Sequence, residues 1–227
     1  MSPDGVRTER MATAGYDRNN TMKNTMKQDI DISGIIHKES EFRDPQKGDM
    51  LLASPMLKEP YFKRSAVLIM DEGADGGHLG LTLNVGTPVT LQDIFPEWKA
   101  GKKVRVYSGG PVETDRLFML HTLGDKFDGA MEIVPGIYVG ANLDDVIKYI
   151  ESTEYVEGQI RFFLGYSGWS KDQLAGEIEE GSWALNRNCD FQDALIGKGN
   201  DYWIREVKKM GEKYRSWCII PQDPELN

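Results

Sequence analysis

From about Gly48 onward, short apolar runs alternate with stretches rich in glycine, proline and acidic residues. Runs of this length, bounded by turn-forming residues, predict strands that are buried or half-buried. Continuous apolar runs at 50–53 and 66–70 predict two fully buried strands. Further strands are predicted at 79–84, 104–107, 117–121, 136–140, 159–166, 182–185 and 214–220.

Helical periodicity is confined mainly to the second half of the chain. Asn142 stands before an apolar stripe with i, i+3, i+4, i+7 spacing and predicts a capped amphipathic helix. Ser170 and Gln173 have the spacing of a capping box and predict a second helix that stops at Gly181. A last helix is predicted over 200–211, and a short helical turn over 90–95.

Hairpin-like strands followed by late helices indicate an α+β fold, because a parallel doubly wound sheet would need regular βαβ alternation. The first 30 residues are polar and lack periodicity, which is typical of a disordered segment. We therefore predict a flexible N-terminal extension over 1–46 and a single domain over 47–227. We hypothesise that translation of the native protein starts at Met22 or Met26, in which case the residues upstream are an extension that does not belong to it.

The net negative charge of the chain lies in its body, residues 48–227. The formal net charge is −9, and residues 1–47 carry 8 basic and 8 acidic side chains. An acidic body repels polyanions, so direct binding to nucleic acid would require a local basic patch. The best candidate is the segment 99–105 (KAGKKVR), which we interpret first as a solvated loop leading into a strand.

No apolar run in the sequence approaches the roughly 18 residues of a membrane-spanning helix, and the N-terminus lacks the apolar core of a secretory signal. The two cysteines, Cys189 and Cys218, do not form a CxxC pair or a disulfide framework. These features predict a cytoplasmic protein with reduced thiols and no membrane association.

One segment comes close to a catalytic motif. The stretch 165–169 (GYSGW) resembles the G-x-S-x-G nucleophile elbow, but Trp169 occupies the place of the last glycine. His121, at the end of a predicted strand, is the candidate base for a hydrolase that would use Ser167. The bulky indole argues against this hypothesis, and we expect no catalytic residues.

Metal and phosphate motifs are equally incomplete. Asp71, Glu72 and Asp75 lie in an acidic loop, but their spacing lacks the ligand order of an EF-hand. The turn at Gly109 and Gly110 could offer backbone N–H groups to an anion, yet it matches neither a P-loop nor a dinucleotide fingerprint. We expect neither a metal nor a cofactor.

Taken in order, these landmarks resemble the AlgH-like (YqgE) family over about residues 47–227. The matching segments are 48–55 (GDMLLASP), 62–67 (FKRSAV), 80–84 (GLTLN), 109–112 (GGPV), 120–121 (LH), 165–169 (GYSGW), 173–174 (QL), 177–178 (EI), Trp183 and 221–227 (PQDPELN). Among its departures, this chain has Ser167 where the family usually has alanine.

The resemblance implies a bent, bifurcated β-sheet that curls into a pseudo-barrel, with helices packed outside, in a cytosolic bacterial protein. It supplies no catalytic residues and no cofactor. Members are labelled transcriptional regulators only by extension from a link to alginate control.

We therefore predict a non-enzymatic regulatory or binding module that acts through a protein partner or a small ligand. A direct DNA-binding regulator and a Ser/His hydrolase are the alternatives. Six residues either converge on a candidate ligand pocket or belong to structural turns: Asn84, Gly109, Gly110, Pro111, His121 and Trp169. The oligomeric state stays open.

Overall fold

The computed structural model describes residues 44–73, 75–98, 101–187, 189 and 191–221, without the side chains of 125 and 192. The predicted extension over 1–46 lies almost entirely outside these residues, as do Met22, Met26 and all but the first residue of the matched segment 221–227. The domain boundary at residue 46 therefore stays a prediction.

Ten strands run through the described part of the chain. They are β1 (Met50–Ala53), β2 (Ala66–Glu72), β3 (His78–Thr82), β4 (Gly86–Thr90), β5 (Arg105–Ser108), β6 (Val112–His121), β7 (Met131–Val134), β8 (Ile137–Val139), β9 (Ile160–Trp169) and β10 (Trp183–Asn186).

Four α-helices and four 3₁₀ segments accompany these strands within the described residues. The helices are α1 (Leu91–Ile94), α2 (Leu143–Ser152), α3 (Gln173–Glu179) and α4 (Gly199–Lys209). The 3₁₀ segments are Pro60–Phe62, Gly124–Lys126, Phe191–Asp193 and Glu212–Cys218.

The strands join in the order β10-β1-β2-β3-β9-β6-β8-β7, and β4 and β5 form a branch that leaves this path at β9. The first half of β9 pairs in parallel with β5, and its last three residues pair antiparallel with β3. Along its other edge β9 pairs antiparallel with β6. The α+β class and the bent, bifurcated sheet are confirmed, but the sheet is not closed into a barrel.

Glycines make the branch at β9 sterically possible. A methyl group added at Gly110 would lie 1.8 Å from the carbonyl carbon of Tyr166, and one at Gly109 would lie 2.2 Å from the carbonyl oxygen of Gly165. Gly165 itself has a φ of 69°, a left-handed conformation that glycine adopts without steric cost. The backbones after β5 and within β9 thus approach more closely than any side chain would allow.

Three groups of buried side chains hold the helices against the sheet. Helix α4 and the 3₁₀ segment Glu212–Cys218 cover one group, where the rings of Trp203 and Trp217 stack. Helix α2 inserts Val146 and Ile150 into the second group. Helix α3 covers the third with Leu174, against the edge-to-face pair of Trp169 and Trp183.

Most predicted elements are present, and the differences have local causes. Asn142 caps α2 by accepting from two backbone N–H groups, as predicted. The predicted capping box is wrong in its register, because α3 begins only at Gln173, whose side chain reaches back to Ser170. In place of the predicted strand 214–220 the chain forms the 3₁₀ segment Glu212–Cys218, whose three-residue repeat brings the buried Tyr214 and Trp217 together edge to face on one side.

Among the helices that the structure describes, none has the length and apolar character required to cross a bilayer.

The close contact at the branch gives a stability prediction. Gly110→Ala should lower the free energy of unfolding by about 3 kcal/mol or more, because the new methyl group can only be accommodated by moving backbone. Urea unfolding followed by circular dichroism measures this loss. Gly176→Ala is the matched control, since that position of α3 has open space, and alanine there should stabilise by up to ~1 kcal/mol. A Gly110→Ala protein as stable as the wild type would contradict the account.

A basic cavity as the candidate functional site

Gly109, Gly110 and Pro111, three of the predicted pocket residues, lie at the branch of the sheet. The carbonyl oxygen of Gly109 accepts from the backbone N–H of Thr82 at 2.8 Å, and its N–H donates to the carbonyl of Leu164 at 2.8 Å. Both glycines are buried, and only Pro111 is exposed. The backbone of Gly109 therefore joins neighbouring strands, and the close packing of both glycines explains them without a ligand.

Ser167 is a buried strand residue and does not sit on a nucleophile elbow. Strand β9 continues past it to Trp169, and its hydroxyl donates to the carbonyl of Gly109 at 3.2 Å. Its Oγ also lies 3.3 Å from the Oγ1 of Thr82. His121 pairs with Ile160 at the other end of β9, seven residues away, or roughly 20 Å along an extended strand. The Ser167–His121 pair that a hydrolase requires does not form.

The ring of His121 is also engaged within the fold. Its Nε2 donates to the carbonyl of Gly140 at 3.0 Å, and its Nδ1 accepts from the backbone N–H of Leu123 at 3.3 Å. Burial lowers the pKa of His121 below its ordinary value, because the charged imidazolium would lose its hydration. The hydrogen-bond pattern fits a neutral structural histidine.

Asn84 and Trp169 likewise satisfy their polar atoms inside the protein. The Asn84 amide accepts from the N–H of Ala66 and donates to the carbonyls of Arg64 and Gly199, all within 2.9 Å. The indole N–H of Trp169 donates to Glu177 at 2.9 Å.

None of the six predicted pocket residues lines the cavities near Arg161, Asp49 or Lys208, which lie among the described residues. They contribute contacts to different parts of the fold, and the polar side chains among them already form hydrogen bonds within the protein. Their convergence on one ligand stays a prediction, and the candidate site of this structure lies elsewhere.

A cavity of about 470 Å³ opens between β5, the loop after α2, the start of β9 and the segment before α4. Its basic lining residues outnumber its two acidic ones, Glu154 and Glu157, although the protein carries a net charge of −9. The basic residues are Lys102, Lys103, Arg105, Arg161 and Lys198. Three of them belong to the segment 99–105, which thus borders a cavity rather than a featureless solvated surface.

Arg161 brings a buried positive charge to this cavity. The residue is 3% exposed, and its guanidinium lies 4.1 Å from the centre of the Tyr107 ring. Nη1 donates to the carbonyls of Leu83 at 2.9 Å, Gly197 at 2.8 Å and Ala194 at 3.3 Å. Among the described residues, no carboxylate forms a salt bridge with it.

The remaining cations stand nearer the mouth. Lys102 donates to the carbonyl of Ile150 at 3.4 Å and thereby caps the last turn of α2. Lys198 forms an ion pair with Glu157, and its hydrogen bond lowers the pKa of that carboxyl. Lys103 and Arg105 are exposed on the edge of the cavity.

Sequence reasoning missed Arg161, although a signal for it exists. Strand β9 begins Ile-Arg-Phe-Phe, and its apolar residues are buried on both faces of the sheet. A cation inside such a strand must be buried as well, and a buried cation is a rare and informative feature. The other lining residues come from separate parts of the chain, which only the fold brings together.

No group of acidic, histidine or cysteine side chains in the described residues has the arrangement of a metal site. A larger cavity of about 570 Å³ lies near Asp49 and Arg187, whose side chains pair with each other at 3.5 Å. Burial raises the pKa of the Cys189 thiol in its wall to about 12, which disfavours a reactive thiolate.

Comparison with known proteins assigns the fold. A family model described as AlgH-like matches residues 50–215, well over half of the chain. The protein belongs to the AlgH-like family. Its relatives include a UPF0301 protein of Bacteroides thetaiotaomicron, 38% identical over 81% of this chain and 92% of that protein. A UPF0301 protein of Chlorobaculum tepidum is 34% identical over 82% and 97%.

Two solved structures share the AlgH-like architecture. Protein DIP2367 of Corynebacterium diphtheriae aligns with a TM-score of 0.64, covering 78% of this chain and 94% of that one. The AlgH protein of Pseudomonas aeruginosa aligns with a TM-score of 0.60, covering 77% and 93%. Both are 22% identical to this chain and therefore support the fold alone. The names of these relatives state no activity.

The buried His121 of this AlgH-like protein gives a pH prediction. Its pKa is lowered in the folded state, so the unfolded chain binds a proton more readily, and stability should fall as the pH drops below about 6.5. The contribution is at most about 1.4 kcal/mol per pH unit for one group. Denaturant unfolding between pH 7.5 and 5.5 should show a smaller acid loss for His121→Asn than for the wild type. Equal losses would show that His121 takes up its proton alike in both states.

Proposed function

We propose that this AlgH-like protein is a non-enzymatic binding module that holds a small anionic ligand in the basic cavity. The observation that carries this proposal is Arg161, a buried guanidinium without a salt bridge to any described carboxylate. The carboxylate of Glu157 acts on Arg161 only at longer range and is itself paired with Lys198, so a bound ligand would supply the direct negative partner.

The cost of burying a charge is the physical basis of the argument. An ion removed from water loses several kcal/mol of hydration even after relaxation, and buried charges are therefore paired or strongly hydrogen-bonded. Hydrogen bonds to the three carbonyls around Nη1 offset part of that cost, but the carbonyls carry no net charge. All the described hydrogen bonds of Arg161 leave from Nη1, and a guanidinium has further N–H donors on Nε and Nη2 that a bound anion would use.

The surrounding electrostatics favour an anion over a cation or a neutral ligand. Lys103 and Arg105 at the edge would raise the local concentration of an anion in an otherwise acidic protein. A cavity of about 470 Å³ falls within the usual size of small-molecule sites, roughly 300–1,000 Å³. This concave and local site suits a small molecule better than a DNA duplex, which requires an extended basic face.

Two features argue against an enzyme at this cavity. Its described lining contains no serine, cysteine or histidine, the side chains that most often serve as nucleophile or base. Ser167 and His121, the candidates for a hydrolase, lie apart, because Ser167 is near the end of β9 and His121, on β6, pairs with the first residue of β9. We extend the proposal to a cytoplasmic regulatory role in which the bound anion, rather than DNA, is the signal.

Pyrophosphate is a suitable probe for the anion site. Isothermal titration calorimetry on the full chain should show saturable binding of about one pyrophosphate per protein. Neutralising the edge with Lys103→Gln and Arg105→Gln should weaken binding by about tenfold, since each exposed ion contact contributes up to ~1 kcal/mol. The variant Arg161→Met should abolish binding, with circular dichroism to verify that it folds.

The double variant Lys213→Gln and Arg215→Gln is the matched control, because it removes the same charge from exposed positions outside the cavity. Its pyrophosphate affinity should stay at the wild-type level. A wild-type protein that binds no pyrophosphate would overturn the proposal, and so would equal losses in the two double variants.

A further inference from the structure

We infer, on the basis of the proposed function, that the ligand of the basic cavity is a small nucleotide. In this arrangement the phosphate lies against Arg161 and the planar base stacks on Tyr155. The inference rests on the presence of both cations and apolar residues in the lining of the cavity and on one exposed aromatic ring among them.

The lining of the cavity contains both charged and apolar residues. Its charged residues are the cations and the two glutamates described above, with Arg161 as the buried cation. Its apolar and aromatic residues are Val104, Tyr107, Tyr155, Val156, Ile160 and Leu195. A purely inorganic anion would use only the cations, so this lining suits a ligand with a charged end and an apolar or aromatic end.

Tyr155 has the features of a stacking platform. It is 69% exposed, against 36% for Tyr61, whereas the other described aromatic residues are buried or half-buried. Its backbone is held in the loop after α2, because Thr153 Oγ1 donates to the Tyr155 carbonyl at 3.2 Å. An aromatic face beside a group of cations is the combination with which proteins hold nucleobases and their phosphates.

The site fits one nucleotide better than a strand of nucleic acid. Proteins that follow a single strand present several aromatic side chains along a basic groove, one for each stacked base. Among the described lining residues, Tyr155 is the one aromatic side chain that is exposed, since Tyr107 is 5% exposed and lies under the guanidinium of Arg161. One platform and one buried cation indicate one base and one phosphate group.

The test compares ligands that differ only by the base. Isothermal titration calorimetry would measure ribose 5-phosphate and adenosine monophosphate against the full chain. We expect the nucleotide to bind about tenfold more tightly, because stacking of a base on an aromatic ring is of that order. Tyr155→Leu should reduce the affinity for the nucleotide to that for ribose 5-phosphate and leave pyrophosphate binding unchanged. Tyr155→Phe, which keeps the ring, should bind the nucleotide as the wild type does.

The possible results separate this inference from the proposed function. Equal affinities for ribose 5-phosphate and adenosine monophosphate, with pyrophosphate still bound, would overturn the nucleotide and leave the anion site standing. Absence of binding for all three probes would overturn both. A thymidine oligomer that binds far more tightly than the nucleotide, and loses that affinity in Tyr155→Leu, would replace the small nucleotide with single-stranded nucleic acid.

Discussion

The contact between Gly110 and the peptide of Tyr166 is the constraint on which the architecture of this protein depends. Strand β9 pairs with β5 along its first half and with β3 over its last three residues. One edge of the strand must therefore change partners within a few residues. That change requires two backbone segments to meet without side chains between them, and glycines in both segments provide the space. The Gly-Gly-Pro and Gly-Tyr-Ser-Gly-Trp segments are therefore explained by packing.

The same branch creates the site. Just beyond β3, the backbone carbonyl of Leu83 lies in the interior, and a buried carbonyl must find a donor. Arg161, the second residue of β9, donates to the carbonyl of Leu83 just after β3 and to two carbonyls ahead of α4. This solution places a permanent positive charge at the cavity. A structural requirement of the sheet thus supplies the chemistry on which anion binding would rest.

The features predicted from the sequence are those that neighbouring residues determine. The cap at Asn142 and the buried Val146 and Ile150 of α2 follow from local spacing and are confirmed. The strand prediction for 214–220 is wrong because the spacing of the apolar Tyr214 and Trp217 is compatible with both a strand and a 3₁₀ segment. The cavity could not be predicted in this way, because its walls join segments more than 90 residues apart in the chain, such as Lys102 and Lys198.

The central claim is that the guanidinium of Arg161 is the binding group for an anion. The most direct measurement is the side-chain Nε–Hε signal of Arg161 by nuclear magnetic resonance while pyrophosphate is titrated into the full-length protein. The account predicts a saturable shift of this signal with the same dissociation constant as that measured by calorimetry. A signal that stays in place while pyrophosphate binds, or while only exposed lysines respond, would contradict it.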